Sequence, residues 1–166
     1  MKKIINTLLA FTLVLGLNSC SKEADIAGFE AKLPAVQLSS LGYQQVGPFS
    51  SSTFLQLNFG ASITNKSTGA FKIEILNGTS ATSAVLTTVN FLTWSGKDTG
   101  TTPVHTISNT VVAGSYPNTK IYQGLINLKL SSLGLTSGST YSIKAYAYSL
   151  DGVVSTITQT SFFKYL

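Results

Sequence analysis

Between Thr53 and Thr64 apolar and polar residues alternate without a break. Leu55, Leu57, Phe59, Ala61 and Ile63 fall on one side, and Gln56, Asn58, Gly60 and Ser62 on the other. A period of two belongs to a strand that buries one face and wets the other. Such a strand needs partners along its edges and a second layer over its apolar face. The same period returns in Phe71, Ile73 and Ile75 against Lys72 and Glu74, and in Ile126, Leu128 and Leu130 against Asn127 and Lys129. Ala35–Val46 reads as a first edge strand, Ala84–Trp94 as an apolar, β-branched strand, and Ile107–Val112 as a short one.

The connections read as turns. Asn65–Gly69 and Ser115–Asn118 are turn-forming stretches, Asn77-Gly78 carries a two-residue hairpin signal, and Asp151-Gly152 turns the chain into a final strand over Val153–Phe163. Ser95–Thr106 is a loop rich in Gly, Thr and Pro. Serine and threonine make up roughly a quarter of the chain, as expected of short strands joined by hydroxyl-rich turns. Strands spaced about ten residues apart, with no sustained 3.6-residue period, predict an all-β fold. The expectation is an antiparallel two-sheet sandwich with an extra hairpin or long loop between Leu76 and Lys120.

The N-terminus is of another kind. Met1-Lys2-Lys3 is a short positive end, followed by a mostly apolar run, Ile4–Leu17. At about fourteen residues this run is short of the ~20 a spanning helix needs and suits a secretory signal. Leu17-Asn18-Ser19-Cys20 closes it with the chain's single cysteine. The tetrapeptide resembles the bacterial lipoprotein processing motif, with an aliphatic residue three before cysteine and a small one just before it. The resemblance implies cleavage before Cys20, diacylglycerol on its sulfur and acylation of the new N-terminus. Ser21, in place of an aspartate, implies the outer membrane by the rule for enteric lipoproteins. Lys22-Glu23 with Asp25 resembles the charged export tags of Bacteroidota surface lipoproteins. An odd thiol in a secreted chain fits poorly with a disulfide role and well with a modified one. The domain reading is a signal peptide over 1–19, an acylated tether over 20–33 and a sandwich over 34–166. Localisation is then the cell envelope, lipid-anchored at the outer membrane and facing either the periplasm or the surface.

A second resemblance lies near the C-terminus. Leu133–Tyr141 (L-G-L-T-S-G-S-T-Y) leads into Ser142–Tyr148 (S-I-K-A-Y-A-Y). This stretch is similar to the corner and following strand of fibronectin type III domains, where a leucine lies six residues before a tyrosine. It implies that Leu135 and Tyr141 form a structural corner, with the tyrosine ring in the core and its hydroxyl bonded to backbone. It also places Ile143, Ala145 and Ala147 inward, with Lys144, Tyr146 and Tyr148 outward. The family's early-strand tryptophan is missing, because Trp94 is the only tryptophan.

Several chemistries find little support. The chain carries 11 basic residues, all lysine, against 6 acidic ones, for a net charge of +5. Arginine, the bidentate reader of phosphate and guanine, is absent, which argues against nucleic-acid partners. A lone histidine and a lone cysteine do not make a zinc site, and the Asp98 loop supplies one carboxylate where calcium needs several. Gly96–Thr101 has the ingredients of a phosphate loop in the wrong order. Glu23, Asp25, Glu30, Glu74, Asp98 and Asp151 are too scattered for an opposed glycosidase pair. His105 reads as a surface strand residue, and no nucleophile elbow surrounds any serine.

The expectation is therefore a non-enzyme without metal or cofactor beyond the lipid on Cys20: a binding or adhesion module for a surface protein or glycan. Tyr146 and Tyr148 form its candidate aromatic stripe, which Trp94 or Tyr116 could join, since such rings present an apolar body and a polar tip. The alternative is a structural or assembly component docking by a sheet edge. That layout resembles bacteroidal fimbrial subunits but lacks the arginine at which they are cleaved. A hydrolase using His105 is a distant third.

Overall fold

A computed structural model describes residues 33–156 and 158–166, and Pro34–Leu166 form one compact unit. Among the described residues, ten strands build two antiparallel sheets: β1 Val36–Tyr43, β2 Phe54–Thr64, β3 Thr68–Asn77, β4 Val85–Phe91, β5 Gly96–Lys97, β6 Thr106–Ala113, β7 Thr119–Lys129, β8 Thr140–Ser149, β9 Thr158–Gln159 and β10 Phe163–Lys164. One sheet runs β1-β2-β7-β6-β5. The other runs β10-β8-β3-β4, with β9 also pairing β8. With β5 set aside as a fringe, this is the strand order of an immunoglobulin-like sandwich. Among the described residues no helix is long and apolar enough to cross a membrane.

The alternation seen in the sequence sets the core. Leu55, Leu57, Phe59, Ala61 and Ile63 of β2 face Phe71, Ile73 and Ile75 of β3 and Ile143, Ala145 and Ala147 of β8 across the layers, all buried. Phe59 pairs with Gly124, where a Cβ would stand 2.1 Å from the Phe59 ring. Glycine at 124 is what lets that ring lie over the neighbouring strand. Tyr43 ties β1 to the last strands, since its hydroxyl meets Thr160 Oγ1 at 2.8 Å and donates to Ser161 O at 2.7 Å. Burial pushes its pKa up to about 12, against a smaller opposing effect of the Thr160 bond.

Three expectations about the strands and the core need correction here. Asn77-Gly78 does not make a two-residue hairpin. The β3–β4 connection spans residues 78–84, closed by Asn77 N–H to Ala84 O at 2.9 Å. Hydroxyls at Ser80 and Thr82 bond within it and offer the chain a wider turn. Val153–Phe163 is not one strand but a bridge at Val154 and the two short pieces β9 and β10. Buried Ser155 and Thr160 interrupt it. Ser155 Oγ accepts Ala147 N–H and Thr160 Oγ1 accepts Ile143 N–H, each at 3.1 Å, so hydroxyls replace carbonyls in the ladder. Finally, Trp94 is not a surface residue.

Candidate functional site

Strand β8 alternates between core and surface. Tyr141, Ile143, Ala145 and Ala147 are buried, while Lys144, Tyr146 and Tyr148 are half-buried on the outer face. Register brings Lys72 of β3 opposite both Tyr146 of β8 and Asn90 of β4, and Glu74 opposite Lys144 and Thr88. Lys72 Nζ sits 4.0 Å above the Tyr146 ring centre and donates to Glu74 Oε1 at 2.8 Å. Tyr146 Oη donates to the other carboxylate oxygen, also at 2.8 Å. The three groups thus close a cation–π and hydrogen-bonded ring on the face.

The ionisation follows from these contacts. Burial works against the Glu74 carboxylate, but bonds from Lys72 and Tyr146 outweigh it and hold its pKa below the usual range. The bond to Glu74 raises Lys72, while burial and then the same carboxylate raise Tyr146. All three keep fixed protonation states near neutral pH. Beside this cluster the face turns apolar, because Tyr148 bridges Val154, and Val153, Val154 and Leu150 are exposed.

The stripe expected from sequence is therefore reduced. Tyr146 and Tyr148 share the face, but Trp94 lies in the core at 1% exposure, against Phe59, Phe71 and Tyr122. Its indole N–H is shared between Ala70 O at 3.1 Å and Tyr148 O at 3.0 Å, which ties the ring beneath the ends of β3 and β8. Tyr116 is exposed in the β6–β7 turn, on the other sheet. Sequence reasoning missed Lys72 and Glu74 as neighbours of Tyr146. Their outward alternation was visible, but only cross-strand register sets them beside it. At the corner, Thr136 N–H donates to Tyr141 Oη at 2.9 Å, with Leu135 partly buried against the core. Leu17, Asn18, Ser19 and Cys20 lie outside the described residues.

A second cluster joins Asp98, His105 and Ser132 beside a hollow of about 320 Å³ lined by Thr88, Asn90, Thr99 and Thr101. His105 is buried at 7% exposure rather than on the surface, with its imidazole bonded to the backbone at the end of β7. Nδ1 accepts Lys129 N–H at 3.0 Å, so the neutral ring carries its proton on Nε2, which meets Ser132 Oγ at 3.2 Å. Ser132 Oγ in turn donates to Lys129 O at 2.8 Å. Asp98 does not touch the ring. Its carboxylate accepts Gly100 N–H at 2.8 Å, Val104 N–H at 2.9 Å and His105 N–H at 2.6 Å.

In a catalytic triad the imidazole accepts the serine proton on one nitrogen and donates to the carboxylate from the other. Here the polarity is reversed and the carboxylate is spent on backbone. The arrangement holds the loop between β5 and β6, and it offers no base to Ser132. Among the described residues, no three His, Cys, Asp or Glu side chains gather as metal ligands.

No protein-family model matches the chain, and no curated protein matches it. A solved structure of Astrotactin-2, described as a conserved vertebrate-specific and perforin-like membrane protein involved in neuronal development, is similar over 80% of this chain at 16% identity and a TM-score of 0.46. The chain spans 22% of the length of that structure.

Proposed function

We propose that this chain is a lipid-anchored cell-envelope protein whose sandwich is a non-catalytic binding module. A protein partner docks on the outer face of β3, β4 and β8. The observation that carries this reading is the closed cluster of Lys72, Glu74 and Tyr146 beside the exposed apolar group at Tyr148 and Val154. Fixed charges next to an apolar, partly aromatic surface match the make-up of a protein interface. A sugar ring stacking on Tyr146 would have to compete with the Lys72 ammonium already over it, which favours protein over glycan. The fibronectin type III resemblance at Leu135 and Tyr141 is in keeping with an extracytoplasmic module, and the Leu17–Cys20 motif supplies the anchor.

The test is affinity capture from detergent-solubilised envelopes with the native chain and with a Tyr146→Ala/Tyr148→Ala chain, circular dichroism verifying the fold of both. A partner retained by the native chain and lost by the variant supports the reading. Equal recovery, or binding to arrayed glycans that the variant keeps, removes it.

A further inference from the structure

One end of the sandwich brings together four connections. Ala35 O accepts Thr64 N–H at 3.1 Å, Asn65 N–H donates to Asn118 O at 3.1 Å, and Leu150 N–H donates to Ser67 O at 2.8 Å. The start of β1, the β2–β3 turn, the β6–β7 hairpin and the turn after β8 therefore share that end. The hairpin is unusual for a surface ribbon. It has no charged residue from Thr106 through Thr119. Val111 and Val112, on opposite sides of the ribbon, are 53% and 51% exposed, Ile121 opposite Val112 is 38% and Tyr116 at the tip 45%. Leu150 on the neighbouring turn is 76% exposed. Lys120, also exposed, lines a shallow hollow with Val111 and with Lys66, which pairs with Asp151.

We infer that this end is the membrane-facing surface of the domain, with the β6–β7 hairpin resting at headgroup level on a phospholipid surface. The inference rests on the acylated Cys20 of the proposed function. Residues 21–33 between that anchor and the domain reach at most ~45 Å, and they join the fold at Pro34, at this same end. Contact here asks least extension of the tether, and tethering raises the effective concentration so that a weak contact suffices.

The side chains suit that occupant. Aliphatic residues and a tyrosine favour the boundary between headgroups and acyl chains, and a flanking lysine can rest its stem there with its charge among anionic headgroups. The depth is limited by the backbone. β5 pairs β6 only at Thr106 and Ile107, so the outer N–H and C=O groups at Val111 and Ala113 need water or headgroup partners. The hairpin therefore lies in the wet interfacial layer and does not enter the hydrocarbon.

The experiment uses the native acylated chain in phosphatidylethanolamine–phosphatidylglycerol vesicles, with an environment-sensitive fluorophore on Ser115→Cys in the hairpin turn. The control label is on Ser137→Cys, in the turn before β8 at the opposite end. At Ser115 the label should be quenched by lipid-borne nitroxide and shielded from aqueous iodide about fivefold more than at Ser137. Val112→Asp/Ile121→Asp should abolish that shielding while the chain stays on the vesicles. Equal iodide quenching at both positions overturns the inference while leaving the anchor intact. Shielding that rises with protein density also overturns it, in favour of β6 pairing between copies. Two reactive thiols per chain would show a free Cys20 and overturn the anchor and the inference together.

Discussion

Trp94 shows how one polar atom can fix a large ring. Its indole N–H bridges the carbonyls of Ala70 and Tyr148, on two different strands, while its rings fill the space between Phe59, Phe71 and Tyr122. Trp94→Phe keeps an aromatic body but leaves both carbonyls without that donor and opens a void. The expected loss is about 2–4 kcal/mol, from the missing hydrogen bonds and the cavity together. Urea unfolding followed by circular dichroism should show a lower midpoint with an unchanged slope. A midpoint equal to that of the native chain would show that neither the indole N–H bonds nor the lost ring volume contributes to stability. None of this was legible in the sequence, where Trp94 closes an apolar run and is followed by Ser-Gly-Lys-Asp, a pattern equally suited to a surface platform. The carbonyls that draw it inward lie 24 and 54 residues away along the chain. Tyr141 was legible because its hydroxyl accepts from Thr136, only 5 residues back, and local bonds leave local patterns.

At the scale of the element, the loop from Asp98 to His105 depends on two ionisable groups held in opposite charge states. Asp98 is charged. Burial opposes this, but three backbone N–H donors outweigh it and lower its pKa. His105 is neutral: burial lowers its pKa, and the nearby Asp98 charge only partly offsets that. The unfolded chain thus takes up a proton on histidine at a higher pH than the folded one does, so stability rises with pH through that window. The contribution is complete above about pH 6.5, the ordinary histidine value, and is lost progressively as pH falls below it. The Asp98 contribution persists there and is lost only below the ordinary carboxylate range. Chemical denaturation between about pH 8 and pH 5 should show the native chain weakening, and His105→Asn, whose Oδ1 can accept Lys129 N–H, should flatten the slope. A slope identical in the two proteins would place the titrating group elsewhere. The core strands were written in the alternation of β2, β3 and β7. The loop was not, because a carboxylate that collects backbone donors leaves no periodic trace, and a single histidine reads the same whether buried or exposed.

For the whole molecule, the membrane attachment proposed above raises the question of what would hold a sandwich with few charges beside a bilayer. Such a body has no spanning helix among its described residues, and its net charge of +5 becomes about +3 if Lys2 and Lys3 are removed, which is weak attraction to anionic lipid. The hairpin end alone offers a handful of half-exposed side chains, enough for orientation and too little for residence. Acyl chains change the scale, since each buried methylene contributes about 0.8 kcal/mol and two or more chains hold a protein stably where one does not. Intact mass of the chain purified from envelopes should therefore correspond to residues 20–166 plus a diacylglycerol group and an N-terminal acyl chain. Labelled palmitate should enter the native chain and not Cys20→Ser. The Cys20→Ser chain should retain residues 1–19, because cleavage in the lipoproteins that the Leu17–Cys20 motif resembles follows modification of the sulfur, and its sandwich should fold unchanged, since Pro34–Leu166 form a compact unit of their own. A native chain that begins at residue 20 without added lipid mass would leave the domain fold untouched. It would, however, remove the membrane from the account of what the β6–β7 hairpin is for.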